Sequence, residues 1–346
     1  MFKKLLDWSQ ENFSHLPWRK NRTLYSTLVS EMMLQQTTVP TVINFFTKFM
    51  QTYPNLGKLA KSSEEDVLLS WKGLGYYRRA RFLHKAAQEL VRNHKGQFPL
   101  DKEKLLKISG IGVYTAHALL AIGANENYLC VDANLERVLS RVYLVEELKG
   151  PKLQHKIYSL FSQGKILKDL NRWGARDINE ALMDLGREIC LPQKPKCTLC
   201  PLKKDCLALQ GNVVEKFPLL GSVKKQKFFE LELLRVIVKK DQKVLVYKKS
   251  AKEWLSNQYE LPTFILKSED AKLIQYPSLA KKIKYHHLPS YKTGITKYKI
   301  TNYILELGEK DFLTKFKDQN LNWKEISLEG NLSVSSLKAL KRLSSV

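Results

Sequence analysis

The chain has 346 residues, 44% of them hydrophobic and 27% charged, a profile that excludes a disordered chain and suits two domains better than one. Lys and Arg outnumber Asp and Glu by 58 to 34, a formal net charge of +24. Such a surplus makes nucleic acid the default partner, with a lysine-coated but otherwise ordinary surface as the plainer alternative.

From the N-terminus, residues 1–7 lack the long apolar core and small-residue cleavage site of a secretory signal. No run of eighteen apolar residues offers a membrane span. Residues 1–210 read as mostly helical. Apolar side chains return every three or four positions through 24–34, 39–49, 80–90, 114–122, 135–142 and 178–185. Turns with glycine or proline at 73–75, 97–99 and 110–112 separate them. The first of these helices holds a single acid, Glu31, among apolar neighbours. Buried, its carboxyl has a raised pKa and stays protonated, able to act as an acid. On the solvated side of an amphipathic helix it has no such role. Gln35 and Gln36 follow it, and amides can read base edges or fill an emptied base stack.

Gly110 and Gly112 predict a tight turn, with a new helix starting near Val113 or Tyr114. Free N–H groups and the positive end of that helix would seat one DNA phosphate around Gly110, Gly112, Tyr114 and Thr115; a plain turn is the alternative. Asp132 precedes the next helix, either as a simple N-cap or as a functional carboxylate. Cys130, in the apolar run Leu129-Cys130-Val131, reads as a buried core residue.

The other cysteines, Cys190, Cys197, Cys200 and Cys206, are separated by six, two and five residues. This cluster argues against a secreted disulfide framework and for a metal or iron–sulfur site in a reducing compartment. Four thiolates can hold zinc or a [4Fe–4S] cluster, and ligand type does not separate the two. Lys194, Lys196, Lys203 and Lys204 surround the loop, as phosphate contacts or as a solvated face. Residues 211–226 read as a linker, and strands are expected at 229–239, 243–248 and 299–307. The expected organisation is a helical domain over 1–210, including the cysteine loop 190–206, then a smaller α/β domain over 227–346.

Several segments together resemble the helix–hairpin–helix DNA glycosylases of base-excision repair, and within them the MutY family of adenine glycosylases. They are Leu16-Pro17-Trp18-Arg19, Ser30-Glu31-Met32-Met33-Leu34-Gln35-Gln36-Thr37, Trp71-Lys72-Gly73-Leu74-Gly75-Tyr76-Tyr77, residues 106–115 and 131–141, Asn179-Glu180-Ala181-Leu182 and the cysteine loop. The resemblance implies an all-α helix–hairpin–helix domain with a [4Fe–4S] loop, followed by a smaller α/β MutT-like (Nudix-like) domain. It implies a monomeric, cytoplasmic enzyme acting on double-stranded DNA with an A:8-oxoguanine or A:G mispair. Adenine would be released by hydrolysis of the N-glycosidic bond, leaving an abasic site.

Glu31 matches the family's acid, which protonates adenine N7, and Asp132 the carboxylate that stabilises the oxocarbenium-like sugar. Tyr114 and Asn134 match residues that support them. Trp18, Arg19, Leu34 and Glu180 match the adenine pocket. Gln36 and Tyr76 match side chains that enter the duplex near the oxidised guanine once adenine is flipped out. Tyr114 stands where endonuclease III-type relatives have a Schiff-base lysine, which implies base release without efficient strand cleavage.

Two features depart from the family. Ser14 stands just ahead of Leu16-Pro17-Trp18, where the family often has a basic residue, so the adenine pocket is expected to lose a contact. The C-terminal domain matches MutT only faintly, through Trp254-Leu255 and Tyr259-Glu260-Leu261-Pro262, and lacks the acidic helix needed for pyrophosphate hydrolysis. The family's 8-oxoguanine loop, Phe-Ser-His, is placed at Ile295-Thr296-Lys297, with His286-His287 as the alternative. A G:T mismatch thymine glycosylase, which can also have tyrosine at position 114, is the second reading. A non-catalytic DNA-binding protein is the third.

Overall fold

The computed structural model describes residues 2–162, 164–221, 227–250, 252–279, 283–316, 321–325 and 332–343. The chain divides into two compact units, Met1–Val223 and Lys224–Val346. Among the described residues no helix is long and apolar enough to cross a membrane.

The first unit is helical. It runs through α1 (Phe2–Phe13), α2 (Pro17–Lys20), α3 (Leu24–Leu34), α4 (Val39–Thr52), α5 (Leu56–Lys61), α6 (Glu64–Ser70) and α7 (Arg78–His94). It continues with α8 (Lys102–Leu105), α9 (Val113–Ala118), α10 (Ala133–Val142), α11 (Pro151–Ser162), α12 (Lys165–Trp173), α13 (Ala175–Glu188) and α14 (Leu207–Gln210). Local chemistry fixes several starts. Thr23 and Ser26 form a reciprocal capping box at α3, and Ser63 caps α6 ahead of three acids in its first turn. α3 is apolar nearly all round, so every residue from Tyr25 to Met33 is buried, Glu31 included.

Two cores divide this unit into lobes. One gathers side chains from α2 to α9, such as Leu28, Phe49, Trp71 and Leu83. The other joins Phe2 and Leu5 of α1 to Leu135, Leu139, Leu182 and Leu185 of α10 and α13. Beyond α1, this second core begins at Ala118. Residues 211–221, expected as linker, pack onto this unit. Phe217 is buried and its carbonyl accepts from Arg141 Nε at 2.8 Å, while Leu219 O accepts from Lys149 N at 2.8 Å. Residues 222–226 of that segment lie outside the described residues.

The second unit holds β1 (Phe229–Lys240), β2 (Lys243–Lys248), β3 (Tyr259–Glu260), β4 (Thr263–Ser268), β5 (Ser290–Ile295), β6 (Tyr298–Leu307), α15 (Glu309–Lys315), β7 (Asn322–Glu325) and α16 (Val334–Leu343). The sheet order is β3-β2-β1-β6-β5, with β4 paired to β1 and β7 to β2. β1 runs parallel to β6 from Phe229↔Tyr298 to Val238↔Leu307, and the other pairings are antiparallel. A parallel central strand is covered on both faces. Leu234, Val236 and Val238 pack with Phe312 of α15, while Ile237 packs with Ala339 and Leu340 of α16.

Candidate active site

A cleft of 830 Å³ brings Trp18, Arg19, Glu31, Leu34, Gln36, Tyr114, Asp132, Asn134 and Glu180 to one place. Burial pushes the Glu31 carboxyl from 4.5 up to about 7, and the charges of Asp132 and Glu180 add to the rise. The Tyr114 hydroxyl opposes it by donating to Glu31 Oε2 at 2.8 Å. Asp132 caps α10. It accepts from Asn134 N at 2.9 Å, Leu135 N at 2.7 Å and Asn134 Nδ2 at 3.0 Å. Burial raises its carboxyl, while these bonds and the Arg137 charge pull it back. The N-cap role and a position in the cleft are therefore both met by one side chain.

Glu180 on α13 is buried and ion-paired. Arg22 reaches both of its oxygens, at 2.7 and 3.3 Å, and Arg19 Nε lies 3.3 Å away. One turn along α13, Asp184 takes Arg19 at 2.9 Å and the Ser9 hydroxyl at 2.6 Å. Sequence reasoning missed Arg22 and Asp184. Arg22 was one cation in a basic run, whereas Asp184 could have been found from its i+4 spacing to Glu180. Ser14 is exposed and does not line the cleft.

The glycine turn lies between α8 and α9. Gly110 has φ +80°, and a Cβ there would collide with Phe82 Cβ. Ser109 fixes the turn to α7 by donating its N–H and hydroxyl to Glu89 at 2.8 and 2.6 Å. Thr115 is buried and Tyr114 points into the cleft, while Gly112 and Val113 are exposed and Gly110 partly so, which offers the turn's backbone to solvent. Gln36, at the cleft, and Tyr76, 61% exposed, have φ of +56° and +48°, strained values for residues with side chains.

Cys190, Cys197, Cys200 and Cys206 line one pocket, walled by Val138, Val142, Leu185 and Ile189. Among the described residues no three His, Cys, Asp or Glu are gathered tightly enough to hold a single metal ion. Arg141 Nη1 donates to Cys190 Sγ at 3.3 Å and to Leu191 O at 2.7 Å. Arg137 donates to Cys190 O at 2.6 Å and to Asn134 Oδ1 at 2.9 Å. Cys130 is fully buried, away from this pocket.

In the second unit, Thr296 and Lys297 form the two-residue turn between β5 and β6, with Thr296 at φ +51° and exposed. Ile295 is partly buried against the core of Leu231 and Leu233, which leaves it little freedom as a wedge. Lys297 Nζ lies 3.4 Å from Asp270 and 4.5 Å from the Phe229 ring centre.

Residues 29–163 match the model of the HhH-GPD superfamily of base excision DNA repair proteins. The adenine DNA glycosylase of Buchnera aphidicola subsp. Acyrthosiphon pisum is 36% identical over 267 residues, covering 77% of this chain and 74% of that protein. The chain belongs to the adenine DNA glycosylase family. The human adenine DNA glycosylase is 39% identical over 228 residues, 63% of this chain and 40% of its own length. Among solved structures, a thermostable thymine-DNA glycosylase matches at TM-score 0.51 and 26% identity, over 60% of this chain and 94% of its own. Over 60% of its length the chain thus resembles an enzyme named for another base.

Proposed function

We propose that the chain excises adenine from A:8-oxoguanine and A:G mispairs in double-stranded DNA, hydrolysing the N-glycosidic bond and leaving an abasic site. The observation that carries the chemistry is the cleft in which Glu31, raised to about 7, faces the site together with capped Asp132. The base must first leave the stack, because its glycosidic bond is inaccessible inside a duplex. Glu31 gives its proton to adenine N7. The C1′–N9 bond then breaks with its electron pair on the base, which departs neutral. The sugar is left as an oxocarbenium ion, and Asp132, held by the N–H groups at the start of α10, stabilises that charge. Water adds at C1′ and returns a proton to Glu31. The Glu180 carboxylate, fixed by Arg22, accepts from the adenine amino group. Among the described residues no lysine lines the cleft, and a phenol at Tyr114 forms no iminium, so base release proceeds without efficient strand cleavage.

The four cysteines suit a [4Fe–4S] cluster, which needs thiolates set around several irons rather than gathered on one ion. Cys190, Cys197, Cys200 and Cys206 would hold it, and it would cross-link the loop without entering the reaction. Thr296, the exposed hydroxyl of the β5–β6 turn, is the group we assign to the base opposite adenine, with Ile295 and Lys297 shaping the turn.

The likeness to a thymine-DNA glycosylase favours a second reading, removal of thymine opposite guanine. Single-turnover base release from A:8-oxoguanine, A:G, T:G and oxidised thymine:A duplexes decides between them. Fast release from the first supports the proposal. Equal release from the first two removes the preference for oxidised guanine, and release of a pyrimidine overturns the adenine pocket. Loss of release in Glu31→Gln and Asp132→Asn excludes a purely DNA-binding role.

A further inference from the structure

We infer that Arg79 is a positioning residue for duplex opening, its guanidinium locking the tips that carry Gln36 and Tyr76 into one rigid wedge at the lip of the cleft. The inference rests on the proposed base excision. Arg79 lies on α7, one turn after Tyr76, and is only 7% exposed. Its Nη1 donates to the carbonyls of Met32 at 2.9 Å, Met33 at 2.7 Å and Gln35. Its Nη2 donates to Thr37 Oγ1 at 3.0 Å, Leu74 O at 3.3 Å and Gly75 O at 3.2 Å. Both neighbours of Gln36 and the carbonyl before Tyr76 are therefore bonded to one planar group. That group also faces the Trp71 and Tyr76 rings, each 5.5 Å from centre to guanidinium.

Three further features point the same way. The partners are carbonyls and a hydroxyl rather than a carboxylate, so the guanidinium fixes backbone shape. Met32 and Met33 offer the open carbonyls of the last turn of α3, so Arg79 also caps the helix that carries Glu31. The two residues flanked by these bonds have left-handed φ, a conformation that side-chain-bearing residues keep only when their surroundings hold them. An exposed aromatic and an amide fixed beside the cleft are suited to fill the stack that an extruded base vacates. Lysine, with one ammonium in place of a planar fork, cannot hold both loops.

The test compares Arg79→Lys with the parent chain on two duplexes: adenine opposite 8-oxoguanine, and the same adenine opposite an abasic site, where no partner base opposes extrusion. Release from the first should slow on the order of 10–100-fold, the scale set by misplacing a positioning group by ~1 Å. Release from the second should stay near the parent rate. In a Gln36→Ala/Tyr76→Ala background, Arg79→Lys should add little further loss. Equal loss on both duplexes, full additivity in that background, or no loss at all would each overturn the proposal. Should Arg79→Lys fail to fold, Thr37→Val, which deletes one Arg79 hydrogen bond, carries the same comparison. A parent chain that releases adenine from neither duplex refutes base excision itself, a result separate from any effect of Arg79.

Discussion

At Glu31 two effects oppose each other. Burial lifts the carboxyl to about 7, and the Tyr114 hydroxyl stabilises its ionised form. A proton donor with that value works below about pH 7 and fails above it, so base release should fall roughly tenfold per pH unit on the alkaline side. Tyr114→Phe removes a bond to the carboxylate and should move that limb upward, read from single-turnover rate against pH. The same shift has a stability consequence. An acid raised in the folded state costs nothing below its unfolded value near 4.5 and destabilises progressively as pH rises through 7. Glu31→Gln should therefore abolish base release yet stabilise the chain by about 3 kcal/mol at pH 8, and by little at pH 4.5, in urea melts. Glu31, Asp132 and Tyr114 were legible because each sits in a short contiguous motif. Arg22 and Arg79 were not, because Glu180 lies 158 residues from Arg22 and four of the six groups that Arg79 bonds lie 42–47 residues from it.

At the scale of elements, α10 connects two chemistries. Its first turn holds Asp132, and its later turns send Arg137 and Arg141 to the cysteine loop. Arg141→Ala would leave the carbonyls of Leu191, Pro192 and Phe217 without this donor, at about 1–3 kcal/mol for each group left unpaired. The expected outcome is a lower Tm together with fewer than the about four irons per chain that the proposed [4Fe–4S] cluster would supply, measured by iron content. Under the proposed cluster assignment, chelation of iron from the parent chain should lower Tm in the same direction. Helices with a long apolar period, such as α3, α4 and α7, were visible in the sequence. α5 and α8 are too short to show a period, and β5, with Gly294 and a mixed pattern of burial, shows little strand signal.

For the whole molecule, each unit has its own core, so each should fold when made alone. Residues 1–223 expressed by themselves should still release adenine, since the cleft lies within them, and should lose discrimination between 8-oxoguanine and guanine opposite it. Parallel assays on the two duplexes check this; no release from the isolated unit would mean that the second unit completes the site. The composition and the texture change after the cysteines made two domains legible. The placement of 211–221 was not, because a polar, proline-containing segment gives no sign that Phe217 is seated under Arg141.

The contact between α1 and α13 governs how the chain is made. Phe2 and Leu5 leave the ribosome well before the helix that covers them, Ala175–Glu188. β1 waits likewise for β6. Both units therefore close from early and late segments together, and long-range closure of this kind is slow. While synthesis proceeds, the apolar face of α1 and the edge of β1 that later takes β6 are the surfaces on which a chaperone would act and from which aggregation would begin.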